Sequence, residues 1–224
     1  MFRYFFILLL FHIKSFTQDL NQIDYTIKSF HDFSLTQGKS YSWLEHLSNQ
    51  IGSRLSGSLG AERAVQWAKE ELENLKLDKV WLEPVMVPKW VRGNFEYASI
   101  ESSAGNSINV QVCALGGSIA TPTNGIRAEV VEVKSFEDLK KLGKNSIQGK
   151  ILFFNTPMDP KEINTFLAYE KIVNLRVNGA IEAIKYGAKA VVIRSLNTVN
   201  DDFPHTGSMS YGKTKLNLRI PSLA

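Results

Sequence analysis

The segment KILFF (residues 150–154), followed by GAIEAIKYGAKAVVI (residues 179–193), decides the fold class. A short apolar run bounded by polar residues reads as a buried strand. A polar loop with Pro157 and Pro160 comes next, then a helix whose last turns are residues 179–186. Gly187 is placed to stop it, because glycine takes the left-handed conformation that ends many helices. Ala190-Val191-Val192-Ile193 is a second buried strand. A strand-helix-strand of this spacing predicts a right-handed parallel crossover. The class is therefore mixed α/β.

Working outward, residues 128–133 alternate as a strand, and Ser135 is a suitable N-cap for a short helix over 136–142 that Gly143 ends. Residues 97–100 and 107–115 read as two strands paired across Ala104-Gly105-Asn106. VWLEPVMV (80–87) reads as another strand, with Pro84 confining it to an edge or bulge. Ala61, Ala64, Val65, Ala68, Leu72 and Leu75 follow a 3.6-residue period, predicting an amphipathic helix whose outer face carries Glu62 and residues 70–74. Ahead of it lie a glycine- and serine-rich loop (52–60), a short helix turning Trp43, Leu44 and Leu47 inward, and a lead-in helix within 18–39 carrying Ile23, Ile27 and Phe30. Residues 216–223 begin a last strand.

The chain has 224 residues, 44% apolar and 21% charged, which excludes a disordered or fibrous protein. Its formal charge of +4 falls to +2 when Arg3 and Lys14 are set aside. So small a surplus excludes a nucleic-acid footprint. Those two residues flank the run YFFILLLF (4–11), and Ser15-Phe16-Thr17 follows. The pattern is that of a secretory signal over 1–17, cut before Gln18. Its apolar run is too short to span a bilayer. The expected product is secreted or periplasmic, with no membrane contact after cleavage. Cys113 stands alone, so no intrachain disulfide forms; it reads as a small core residue.

Candidate chemistry is sparse. His31, His46 and His205 have no metal-ligand spacing between them. Asp201, Asp202 and His205 form one short carboxylate-imidazole cluster, better read as a turn-rich loop than as a metal site. Ser118 in GGSIA (116–120) nearly matches a nucleophile elbow, and Asp201, Asp202 and His205 follow in hydrolase order, but no helix start follows Ser118. Glu70-Glu71 lies on the amphipathic helix and reads as surface charge. From the residues alone, no catalytic, cofactor-binding or metal-ligating residue is assigned.

Four ordered motifs carry a resemblance. IGSRLSG (51–57) before an alanine-rich helix, LEPVMVPKWVRG (82–93), LGGS (115–118) followed by Thr121-Pro122, and PHTG (204–207) are together similar to secreted zinc exopeptidases of the plasma glutamate carboxypeptidase (carboxypeptidase Q) type. The resemblance implies the start of an αβα zinc-exopeptidase domain, followed by an inserted protease-associated domain, sandwich- or barrel-like with flanking helices. The expected organisation is a signal over 1–17, the N-terminal part of the peptidase domain over 18–105, and a protease-associated domain over 106–224 that is cut short.

It further implies a metallo-exopeptidase, an amino- or carboxypeptidase hydrolysing short peptides, with a homodimer among its possible states. Two zinc ions and a glutamate base would serve the whole enzyme. Those ligands fall on motifs after the inserted domain, so no zinc is expected on this chain alone. His205 and Tyr211 would face the substrate channel of the whole enzyme. The alternative is a stand-alone protease-associated binding module without catalysis. Residues 53–93, a peptidase-type helix and strand such a module would not need, favour the enzyme fragment.

Overall fold

The computed structural model describes residues 22–93, 95–199 and 201–224, so the expected signal over 1–17 lies outside the described residues. The chain divides into two compact units between Lys89 and Trp90. The hairpin that the expected 105/106 boundary would have cut lies wholly in the second unit.

The first unit is helical. Residues 22–37 form α1, Ser40–Glu45 form α2, a π-helical turn runs over His46–Ile51, and Leu59–Asn74 form α3. The loop between the last two is specified residue by residue. Gly52 and Gly57 hold φ of 74° and 71°, and the Arg54 guanidinium donates to the Leu47 and Gly52 carbonyls. The Ser58 hydroxyl caps α3 by accepting from the Ala61 amide at 3.2 Å. A Cβ on Gly60 would stand 2.0 Å from the Ser53 carbonyl oxygen, so only glycine permits that approach.

Three expectations change in this unit. Residues 80–87 carry no ladder hydrogen bonds: they are not a strand among the described residues. Pro84 removes one amide, and no neighbouring strand offers the others a partner. Leu44, expected inward, is 59% exposed, and Val65 and Leu72 on the apolar stripe of α3 are 48% and 40% exposed. No residue from 22 to 89 is buried, so the stripe has nothing to pack on among the described residues. Glu71 is not plain surface charge: its carboxylate accepts the Trp43 indole N–H at 2.8 Å and ties α2 to α3.

The second unit holds the sheet. Ala98–Ser103 (β1) and Asn106–Val110 (β2) form an antiparallel hairpin. Val130–Val133 (β3), Ile151–Phe154 (β4), Ala190–Ile193 (β5) and Ser222–Leu223 (β6) form a parallel sheet in that order. Helix α4 (Phe136–Ile147) connects β3 to β4, and α5 (Thr165–Lys185) connects β4 to β5. The core lies where these helices meet the sheet, on Leu139, Ile147, Leu152, Phe154, Ala180, Ala183, Val191 and Ile193. A Cβ on Gly179 would come within 3.1 Å of the Phe154 ring, so glycine lets α5 approach β4 closely.

Ser135 caps α4 through the Asp138 amide at 3.0 Å. Gly143 breaks the helical dihedrals (φ 71°, ψ 173°), yet the backbone resumes its turns to Ile147 instead of ending at 142. Gly187, at φ 77°, follows α5 as expected: its amide donates to the Ile184 carbonyl and that of Ala188 to the Ala183 carbonyl, the paired bonds of a Schellman stop. Strand ends differ from expectation: β3 starts at Val130 and β4 at Ile151. The ladder of β2 ends at Val110, and of residues 216–223 only Ser222 and Leu223 pair in the sheet, Leu216–Leu218 being a 3-10 turn.

Candidate functional site: a junction of the motif segments

The motif segments of the second unit, far apart in sequence, converge on one backbone junction. Cys113 and Ala224 exchange both backbone hydrogen bonds, at 2.7 and 2.9 Å, and the Leu115 amide donates to the Ser222 carbonyl. On its other side the same stretch binds the 204–209 loop: the Gly116 amide donates to the Gly207 carbonyl at 2.7 Å, and the Met209 amide to the Gly116 carbonyl at 2.9 Å. The Thr206 hydroxyl donates to the Ala114 carbonyl at 3.0 Å. Residues 115–118 are thus an inner rung between 207–209 and 222–224. That joins the third and fourth motifs directly.

Side chains of the second motif fasten the rung. The Trp90 indole N–H donates to the Ser118 carbonyl at 2.9 Å. Arg92 donates to the Ala114 carbonyl and the Cys113 sulfur, both at 3.0 Å, and pairs with Glu96 at 2.6 Å. Cys113, expected in the core, is only half-buried, and the Arg92 guanidinium lies against its sulfur.

Ser118 is structural. It is 8% exposed; its O–H donates to the Ile119 carbonyl, and its oxygen accepts from the Ser222 amide at 2.8 Å. A hydroxyl used in both directions by backbone, with no imidazole bound to it, is not an activated nucleophile. Tyr211 departs from the channel-facing role implied for it. It is 6% exposed, and its hydroxyl accepts from the Ile119 amide at 3.0 Å while donating to the Ile220 carbonyl at 2.5 Å. It pins backbone to backbone.

His205 is exposed, and its amide donates to the Ser195 hydroxyl at 2.9 Å. Asp201 closes a turn onto the Phe203 amide at 3.2 Å. Both aspartates line a polar cavity of about 380 Å³ with Asn109, Val110, Gln111, Ser195 and Pro204, which His205 does not reach. His46 stacks on Trp67 with centroids 4.8 Å apart, and His31 sits 3.7 Å from Asp32 on the exposed α1. Among the described residues no three His, Cys, Asp or Glu side chains converge as a metal requires. The donor set of the described residues does not fit zinc. The junction was missed in the sequence because each of its bonds joins residues that no local pattern relates.

This is the fold of a peptidase. Across 92% of the chain it matches 45% of a peptidase M28 precursor from Shewanella amazonensis, with 34% identity and a TM-score of 0.79. By sequence the chain is a relative of carboxypeptidase Q. It is 37% identical over 181 residues to the Bos taurus protein, which covers 81% of this chain and 36% of that one, and 38% identical over 175 residues to the Mus musculus protein, covering 78% and 35%. The chain spans about a third of the length of the curated relatives it matches. No protein-family profile matches it. Among the described residues no helix is long and apolar enough to cross a membrane.

Proposed function

We propose that this chain is the N-terminal portion of a secreted zinc-dependent exopeptidase acting on short peptides, with the signal over 1–17 cut before Gln18. On this reading the first unit opens the peptidase domain, and the second supplies most of the protease-associated insertion. The zinc ligands and the general base then belong to the part of the relatives' length that this chain does not span. One observation carries the reading. The likeness to carboxypeptidase Q extends over 81% of this chain but 36% of the relative, while the described residues bring no metal donor set together. The exposed apolar stripe of α3 is consistent with a helix that packs on further chain.

The test compares this chain with one extended over the relatives' full length. Each is assayed against dipeptides and a chromogenic amino-acid amide, with and without 1,10-phenanthroline and added zinc. Chelator-sensitive hydrolysis is expected of the extended chain alone. Hydrolysis by the 224-residue chain would overturn the reading, as would an extended chain that stays inactive.

A further inference from the structure

Arg176 is a buried cation without an anion among the described residues. It lies on the inner face of α5 at 9% exposure, with its planar head against the backbone of Gly207. Its Nη2 donates to the Tyr169 hydroxyl, and the same guanidinium lies 5.3 Å from the centroid of that ring. Its Nε is enclosed and has no hydrogen-bond partner. Among the described residues no carboxylate is within ion-pair distance of it. The half-buried Tyr169 hydroxyl accepts one bond and finds no acceptor of its own among those residues.

Guanidinium keeps its proton at any pH a protein survives, so the charge cannot be discharged by titration. A buried charge that lacks a counter-ion costs far more than one supplied with an anion and hydrogen bonds. A ring face offsets a fraction of that cost. The groups left without a partner here are donors: the guanidinium Nε–H and the phenolic O–H. One positive charge and a planar fork match a singly charged, planar, two-oxygen acceptor, and no second cation is paired here as a phosphate dianion would favour.

We propose that Arg176 and Tyr169 form a carboxylate-binding site, in which a carboxylate accepts from the guanidinium and from the tyrosine hydroxyl. The chemistry is the same whether the carboxylate belongs to a small acylated amino acid or to an acidic side chain from the part of the relatives' length this chain does not span. The site does not depend on peptidase activity, so the two readings fail separately.

The test is the Arg176 Nε–Hε resonance in a ¹H–¹⁵N spectrum of the ¹⁵N-labelled chain, identified by its absence from Arg176→Lys. The chain is titrated with N-acetylglycine at fixed ionic strength, and in parallel with N-acetylglycinamide, which has the same shape without the charge. A saturable downfield shift with the acid and none with the amide is expected, weakened about tenfold by loss of the fork in Arg176→Lys, read there from Tyr169 ring signals. Tyr169→Phe, which keeps the ring under the guanidinium, is expected to weaken the response severalfold and stands in if Arg176→Lys does not fold. If the protein itself provides the carboxylate, the extended chain shows the resonance already shifted and indifferent to N-acetylglycine. A resonance that neither compound moves in this chain, and that is unshifted in the extended one, overturns the proposal; so does an equal response to acid and amide.

Discussion

Gly207 lies so close to Arg176 that a Cβ built on it would stand 2.5 Å from the guanidinium carbon and 2.7 and 2.9 Å from two of its nitrogens. The glycine that ends the PHTG motif is therefore fixed by a side chain 31 positions earlier, on α5. Gly207→Ala forces a buried arginine to move or the loop to lift off Gly116, and overpacking of this kind costs about 1–3 kcal/mol. Chemical denaturation measures it. In an Arg176→Ala background the same substitution is expected to cost clearly less, since the clashing group is gone. Equal costs in both backgrounds would mean that the loop, and not the guanidinium, demands glycine.

Tyr211 serves as a two-way backbone pin between Ile119 and Ile220. Tyr211→Phe keeps the ring and leaves a partly buried amide and carbonyl each short of a partner, at a cost of about 1 kcal/mol. Urea unfolding followed by near-UV circular dichroism reports the loss. An unchanged midpoint would show that the junction holds without the hydroxyl.

The helix stop at Gly187 gives a third expectation. At φ 77°, with the Gln148 side chain 3.3 Å from where its Cβ would be, the position resists both a β-branched residue and the space it needs. Gly187→Val is expected to lower stability by more than ~1 kcal/mol. A variant that melts like the parent would contradict the paired capping bonds described above.

The difference between what the sequence discloses and what it hides follows from the range of the interactions. Strands β4 and β5 were legible because apolar runs bounded by polar residues and a glycine stop are local signals, and the one crossover that joins them needs no further information; the parallel pairing of β3 with β4 was not read from the sequence. VWLEPVMV reads as a strand by composition, but a strand exists only with a partner, and none is present among the described residues. Residues 216–223 failed in the same way, since pairing with β5 engages only Ser222 and Leu223. The junction was illegible for another reason: Trp90 with Ser118, Arg92 with Ala114 and Tyr211 with Ile119 are single long-range bonds with no periodicity. The motif residues that drew attention as signatures of an enzyme family are, in this unit, largely its fastenings. Of the candidate site residues, Asp201 and Asp202 share one cavity, while His205, Ser118 and Tyr211 go elsewhere.

The two units differ most in what they bury, and this leads to the last prediction. Helix α5 buries Ala168, Ile172, Arg176, Gly179, Ala180 and Ala183, whereas α3, only five residues shorter, buries none. An amphipathic helix draws most of its stability from packing its apolar face, and hydrogen bonds that open locally are those with little apolar burial around them. In the isolated chain, amides of α3 are therefore expected to exchange with solvent orders of magnitude faster than those of β4, β5 and α5, despite the Ser58 cap and the Trp43–Glu71 bond. Native-state hydrogen exchange resolved by residue measures this directly. Glu71→Gln changes little in such a spectrum if α3 is already open, because one partly exposed bond contributes about 1 kcal/mol at most. In a chain extended over the relatives' length, α3 is expected to become protected as its Val65, Leu72 and Leu75 stripe acquires a covering surface. Protection of α3 equal to that of α5 in the isolated, monomeric chain would refute the claim that the first unit lacks a core of its own.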